Sequence, residues 1–264
     1  MTDRISVRES GSGTPLVLLH AFPLNSSMWQ SQLDELPGRE GTDARVIAVD
    51  LRGFGGTPLG EDAPSLDLLA DDLALMLDRA GIDRAVLCGL SMGGYTAMAF
   101  ARRHPERLLG LILADTKATA DDEAAKANRE RIARTVTEEK SVRVVVEEQL
   151  PEPLLGAEAV RRGPELVDHV RRIAEAAPPE SVAWAQRAMA ARGDSLDVLR
   201  GVTVPALVVV GEDDAITGVA DARAMAKALP ASELTILPGA GHLSSLEVPE
   251  AFNDAVRGWL RQLP

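Results

Sequence analysis

The chain has 264 residues, 45% of them hydrophobic, enough to bury the core of one large α/β domain with an insertion. Its formal net charge of −12 argues against nucleic acid as a partner, because that needs a basic face, and reads as a solubility feature. No apolar run approaches bilayer length, Met1-Thr2-Asp3-Arg4 lacks the apolar core of a secretory signal, and the one cysteine forms no internal disulfide, so a cytoplasmic location with no membrane contact is expected. C-x-x-C, H-E-x-x-H and G-x-x-x-x-G-K-[ST] are absent, and the clusters Gly11-Ser12-Gly13 and Gly53-Phe54-Gly55-Gly56 lack dinucleotide-binding spacing. No metal, nucleotide or other cofactor is therefore expected.

Ile5 and Val7 alternate with polar neighbours, as in a half-exposed edge strand. A turn over 11–15 leads to Leu16-Val17-Leu18-Leu19, a continuous apolar run that predicts a strand covered on both faces and ends in His20-Ala21-Phe22-Pro23. Arg45-Val46-Ile47-Ala48-Val49 is a second such run, and Asp50-Leu51-Arg52-Gly53 after it is expected to be a structural turn. Ser65 is placed to cap a helix with apolar residues at Leu66, Leu69, Leu73, Met76 and Leu77, stopped by Gly81. A strand then runs to Cys88, whose thiol is expected to be buried and inert. A helix follows to about His104-Pro105, and 108–114 is the next buried strand. Alternating buried strands and helices predict an α/β fold, a mostly parallel sheet with helices on both faces.

The alternation stops at Asp115. No strand run occurs from Lys117 to about Arg200; 121–139 is charged and alanine-rich, 141–150 is a shorter helical candidate, and 164–176 and 179–192 read as two further helices. The chain thus divides into a core in two parts, 1–116 and 201–264, around an all-helical insertion at 117–200, and large insertions concentrate where function lies. The sheet resumes at 205–210, a helix covers 219–229, and 234–237 is a last strand. The final helix has Pro249 in its first turn and an apolar face of Phe252, Ala255, Val256, Trp259, Leu260 and Leu263.

Gly89-Leu90-Ser91-Met92-Gly93 stands where a strand turns sharply into a helix. A β-carbon at Gly89 or Gly93 would collide with the neighbouring strand or helix, and the turn lifts the Ser91 hydroxyl to where a substrate can reach it. The helix N-terminus beneath offers free N–H groups and partial positive charge to an oxyanion. On this stretch alone, Ser91 is equally well an ordinary helix N-cap. The strand ends weigh against that reading. Ligand sites of open α/β sheets lie beyond the carboxyl ends of the strands, and here those ends carry His20, Ser91, the cluster Glu212-Asp213-Asp214 and His242. Serine, acid, histidine is a recognised nucleophile–acid–base chain order.

The motifs HAFPL (20–24), DLRGFGGT (50–57), GLSMGGY (89–95) and GAGHLSSLEVPE (239–250) together resemble α/β-hydrolase-fold enzymes with a helical cap, over essentially the whole chain. The chain is most similar to small bacterial carboxylesterases, and similar also to 3-oxoadipate enol-lactonases and cofactor-free haloperoxidases or perhydrolases. The resemblance implies Ser91 as nucleophile, His242 as general base and Asp214, three residues after Gly211, as the acid, with Glu212 and Asp213 as solvated neighbours. In some members the acid follows the earlier strand, which is Asp115 here. The oxyanion donors are then the N–H groups of Met92 and, by resemblance, Phe22. This chain departs from the pattern at Ala21, where the oxyanion loop usually has glycine, and at Gly218, where proline is common. His20 is expected to hold the oxyanion loop in shape, His104 to be a helix-end charge and His169 to be solvated. Trp184 and Met189 are expected to line the pocket with Phe22, Met92 and Leu243. The implied activity is a carboxylesterase acting on short- to medium-chain small-molecule esters. A lactonase for a carboxylate substrate, needing a cation such as Arg187 or Arg192, a perhydrolase and a ligand-sensing receptor on the same fold are the alternatives. Monomer and homodimer are both compatible with the sequence.

Overall fold

Runs of apolar residues uninterrupted by polar ones form the centre of a seven-stranded sheet in the computed structural model, which describes residues 5–38 and 43–263. The polar tetrapeptide Met1-Thr2-Asp3-Arg4 read above lies outside the described residues. The strands are β1 (Val7–Gly11), β2 (Thr14–Leu19), β3 (Ala44–Val49), β4 (Ala85–Leu90), β5 (Leu108–Ala114), β6 (Ala206–Gly211) and β7 (Ser232–Leu237). Their spatial order is β1-β3-β2-β4-β5-β6-β7; β1 alone runs antiparallel, on the edge. Every residue of β4 and β6 is buried, whereas β1 alternates between exposed and half-buried positions. This is the contrast that continuous and alternating apolar patterns predict.

The β1 ladder extends to Gly11, which pairs with Arg45, and β2 starts at Thr14, so the expected turn over 11–15 shrinks to two residues. Helices α1 (Gln30–Glu35), α2 (Leu66–Arg79) and α3 (Met92–Arg103) belong to the first half of the core. The Ser65 side chain accepts the Asp67 N–H at 3.2 Å and caps α2 as expected. Between β5 and β6 the chain forms six helices and no strand: α4 (Glu123–Glu139), α5 (Arg143–Gln149), α6 (Ala157–Arg162), α7 (Pro164–Glu175), α8 (Pro179–Ala190) and α9 (Leu196–Arg200). Helices α1, α6 and α9 are two turns or fewer, too short for apolar periodicity to announce them. The second half adds α10 (Val219–Ala228), α11 (Ser244–Glu247) and α12 (Pro249–Leu260), the last burying Phe252, Val256, Trp259 and Leu260. Among the described residues no helix is long and apolar enough to cross a membrane.

The segment after β3 is a hydrogen-bonded turn. Asp50 accepts the Ser26 and Gly56 N–H groups, both at 2.8 Å, and its carbonyl accepts the Thr57 hydroxyl at 2.7 Å. The buried Arg52 guanidinium grips Asp72 of α2 through two bonds of 2.7 and 2.9 Å. Such a fork–fork pair fixes the turn against α2. The chain visits β2, then β3 on one side and β4 on the other, so the strand order reverses at β2. That reversal opens a crevice at the carboxyl ends of β2 and β4.

Candidate active site

Ser91 joins β4 to α3 with φ 54° and ψ −114°, a conformation that costs a non-glycine residue on the order of 1–3 kcal/mol. Backbone bonds hold it there. Its N–H donates to Ala114 O of β5 at 3.0 Å, and its carbonyl accepts the Gly94 and Tyr95 N–H groups and the Thr116 hydroxyl at 2.9–3.1 Å. A β-carbon at Gly89 would stand 2.2 Å from Gly93 O, and one at Gly93 would stand 2.1 Å from Leu19 O of β2. The two glycines therefore let α3 seat directly on the sheet. The Ser91 side chain makes no capping bond to α3. Its Oγ lies 2.8 Å from His242 Nε2, which removes the N-cap reading.

His242 follows β7, and its Nδ1 lies 2.9 and 3.0 Å from the Asp214 carboxylate oxygens. Asp214 follows β6. Its Oδ1 accepts the Ile216 and Thr217 N–H groups at 2.8 and 2.9 Å, and its Oδ2 accepts the Thr217 hydroxyl at 2.8 Å. An ionised carboxylate only accepts, so the imidazole proton sits on Nδ1 and Nε2 is left to accept from Ser91. Burial opposes ionisation of Asp214, but the bond to and charge of His242, with the Thr217 and Ile216 N–H groups, outweigh it and hold the carboxyl below its ordinary value. Burial likewise opposes the charged ring of His242. The Asp214 bond and charge, then the charges of Asp115 and Glu247, overcome it and raise the imidazole above its ordinary 6.5.

Glu212 and Asp213 are exposed. Asp115, the other candidate acid, is fully buried but turned elsewhere: Oδ1 accepts the Gly211 N–H at 2.8 Å, and Oδ2 accepts the Ser244 N–H at 3.2 Å and hydroxyl at 2.5 Å. Burial, then the nearby charge of Asp214, pushes its carboxyl up to about 7. The imidazole partner is thus Asp214.

Met92 is the first residue of α3, so its N–H is among those that a helix leaves without an internal acceptor. Phe22 is buried in the loop after β2, where the Leu24 N–H donates to Ala21 O at 2.8 Å. His20 ties this loop to the turn after β3. Its Nε2 accepts the Leu51 N–H at 3.0 Å, so Nδ1 donates to Ala21 O at 2.9 Å, and burial lowers its pKa to about 4. His104 at the end of α3 pairs with Asp71 at 2.9 Å. His169, expected to be solvated, is half-buried on α7 and burial lowers its pKa. Cys88 is fully buried, which pushes its thiol pKa up.

Trp184 and Met189 are buried on α8, and Leu243 is fully buried beside His242. Trp184 Nε1 donates to Asp62 O at 2.9 Å, and Met189 Sδ lies 3.6 Å from Arg129 Nη1. The two arginines singled out by sequence part company. Arg187 pairs with Glu130 at the surface, through two bonds of 3.0 Å. The Arg192 side chain is only 6% exposed, donates to Asp121 at 2.7 Å, and lays its guanidinium 4.1 Å from the centre of the Tyr95 ring, one helical turn beyond Ser91. Arg129 reaches the other Asp121 oxygen at 2.5 Å, and Lys117 Nζ lies 3.8 Å from Asp121. Burial opposes ionisation of Asp121, yet Arg192 and Arg129 hold its pKa at about 2. Three cations thus converge on one carboxylate, beside a cavity of about 280 Å³ lined in part by Tyr95, Met98, Lys117 and Arg192.

Sequence reasoning missed Thr217, which braces Asp214, and Glu247, which braces the loop of His242. The available signal for Glu247 was a lone acid five residues after His242 in an otherwise uncharged stretch.

A model of the alpha/beta hydrolase family matches residues 16–255. The chain is 29% identical to 3-oxoadipate enol-lactonase 2 of Acinetobacter baylyi, over 94% of this chain and 88% of that one. Among solved structures it is similar to the thermophilic esterase of Thermogutta terrifontis with malate bound, with a TM-score of 0.93, 42% identity, and 98% and 93% of the two chains covered. It is also similar to the enol-lactonase of Burkholderia xenovorans LB400, with a TM-score of 0.88, 28% identity, and 98% and 96% covered.

Proposed function

The chain belongs to the alpha/beta hydrolase family, and on that premise we propose that it is a serine hydrolase cleaving carboxylic esters through an acyl-enzyme. The observation that carries this reading is the unbroken hydrogen-bond path from Ser91 Oγ through His242 to Asp214. Neutral His242 takes the Ser91 proton from Nε2's side as Oγ attacks the ester carbonyl. Charge developing on the carbonyl oxygen is met by the Met92 and Phe22 N–H groups. The imidazolium, held by ionised Asp214, returns the proton to the leaving alcohol. Water then gives its proton to His242 and attacks the acyl carbon, and Ser91 regains its hydrogen. These steps use only groups of this chain and water. The helices of 117–200 act as the roof, with Trp184 and Met189 on one side of the acyl pocket and Phe22, Met92 and Leu243 on the other.

Wild-type protein is expected to turn over p-nitrophenyl esters of short to medium chain length, acetate, butyrate and octanoate, through many cycles. Its kcat/KM should fall as pH drops through an acidic limb centred above 6.5, because the base must be neutral and its pKa is raised. A single stoichiometric burst without turnover would replace this reading by the ligand-sensing one.

The surplus of positive charge around the buried Asp121 favours a second reading, a substrate that carries its own carboxylate, as the name of the lactonase relatives suggests. Arg192→Met should then lower kcat/KM on an anionic lactone or half-ester about tenfold more than on neutral esters, the size of an exposed-to-buried charge contact. Equal losses on both substrate types would discard the second reading.

A further inference from the structure

Glu247 takes no part in the proton transfers above, yet its carboxylate is buried at the C-terminal end of α11. Oε2 accepts the Gly241 N–H and Oε1 accepts the Leu243 N–H, at 2.9 and 3.0 Å. Gly241 and Leu243 are the chain neighbours of His242, so the peptide groups on both sides of the imidazole hang from one carboxylate. Oε2 also accepts the Gly156 N–H at 2.9 Å, and Gly156 precedes α6 in the helical segment between β5 and β6. At the far end of α6, Arg162 donates to the Glu247 carbonyl at 2.9 Å. The two segments touch with nothing between them: a β-carbon on Gly241 would stand 2.3 Å from Gly156 N, and one on Gly156 would stand 2.8 Å from Gly241 N and 3.1 Å from Glu247 Oε2.

We propose that Glu247 is a positioning residue that sets the His242 imidazole against Ser91 and ties that setting to the helical segment at Gly156. The proposal rests on the esterase reading. A general base works only within hydrogen-bond reach of its proton, and a misplacement of about 1 Å costs roughly a hundredfold. A carboxylate suits the task because it accepts on both oxygens; a glutamine would turn an NH₂ group toward one of the three N–H donors. The carboxylate also adds negative charge near the imidazolium that forms during reaction. The other groups around the ring are Asp214 and Thr217 from the loop after β6, Ser91 at the start of α3, and Asp115 at the end of β5, which holds the next loop residue, Ser244.

The test compares wild type, Ser91→Ala, Glu247→Gln and Gly156→Ala on p-nitrophenyl butyrate, with competent sites counted by a phosphonate ester run to completion. Per titrated site, Glu247→Gln should lose about tenfold or more in kcat with KM within about twofold. Its acidic limb should move to lower pH, because a negative charge facing the imidazole is gone. Gly156→Ala removes no charge; it should lower kcat with the limb in place. A Glu247→Gln protein with wild-type kcat per site and an unmoved limb overturns the proposal. If Glu247→Gln yields no folded protein, wild-type kcat in Gly156→Ala overturns it instead. Loss of the premise looks different: a wild type without turnover, or a Ser91→Ala protein at full activity, removes the esterase reading itself.

Discussion

Replacing Ser91 by alanine should lower kcat for p-nitrophenyl butyrate by about 10⁴-fold or more while leaving the fold intact. The substitution removes the one oxygen that His242 Nε2 touches at 2.8 Å. It leaves the backbone bonds to Ala114, Gly94, Tyr95 and Thr116 that hold the positive φ, since none of them uses the side chain. Alanine bears the same left-handed strain as serine, so a thermal melt should move little. On the proposed mechanism a residual rate over water should remain, because alanine leaves the proposed N–H donors and substrate binding in place. Full activity in initial-rate assays would mean that another group attacks the ester.

Asp214→Asn should cost about 10⁴-fold in kcat, and Asp115→Asn less than about tenfold. The difference follows from the donors around each carboxylate. Asp214 Oδ1 already accepts two backbone N–H groups. An asparagine there keeps its oxygen on those donors and turns its NH₂ toward His242 Nδ1. The ring then carries its proton on Nε2, and a protonated Nε2 cannot take the Ser91 hydrogen. Asp115 touches the imidazole nowhere; it accepts from Gly211 and Ser244. Its amide form keeps the Gly211 bond and the Ser244 hydroxyl can rotate to accept; the one loss is the long 3.2 Å bond from the Ser244 N–H, which would face the new NH₂ group without touching the imidazole. Matched kcat measurements on the two folded variants decide the point. A harmless Asp214→Asn beside a crippled Asp115→Asn would transfer the role of acid to Asp115.

The sheet, and the edge on which chemistry can gather, were legible in the order of the residues. Continuous apolar runs mark strands buried on both faces, and parallel strands deliver their carboxyl-end loops to one edge, so His20, Ser91, the cluster Glu212-Asp213-Asp214 and His242 could be placed together from chain order alone. The glycines at 89 and 93 were legible for a local reason: each lies within four residues of the turn that needs it, apart from the contact of Gly93 with β2. Features that depend on distant partners emerge only from packing. Whether the Ser91 hydroxyl caps α3 or meets a base depends on a residue 151 positions away. The resemblance pointed to Asp214 over Glu212 and Asp213, but charge pattern alone could not, because the difference between the three is burial against His242. Arg192 and Arg187 share one helix end in sequence, but only packing shows the Arg192 side chain laid on Tyr95 and Arg187 at the surface with Glu130. Glu247 meets Gly156 across 91 residues of chain. Hydrogen bonds over such separations leave no periodic trace, because periodicity records the faces of one element and these bonds record where two elements meet.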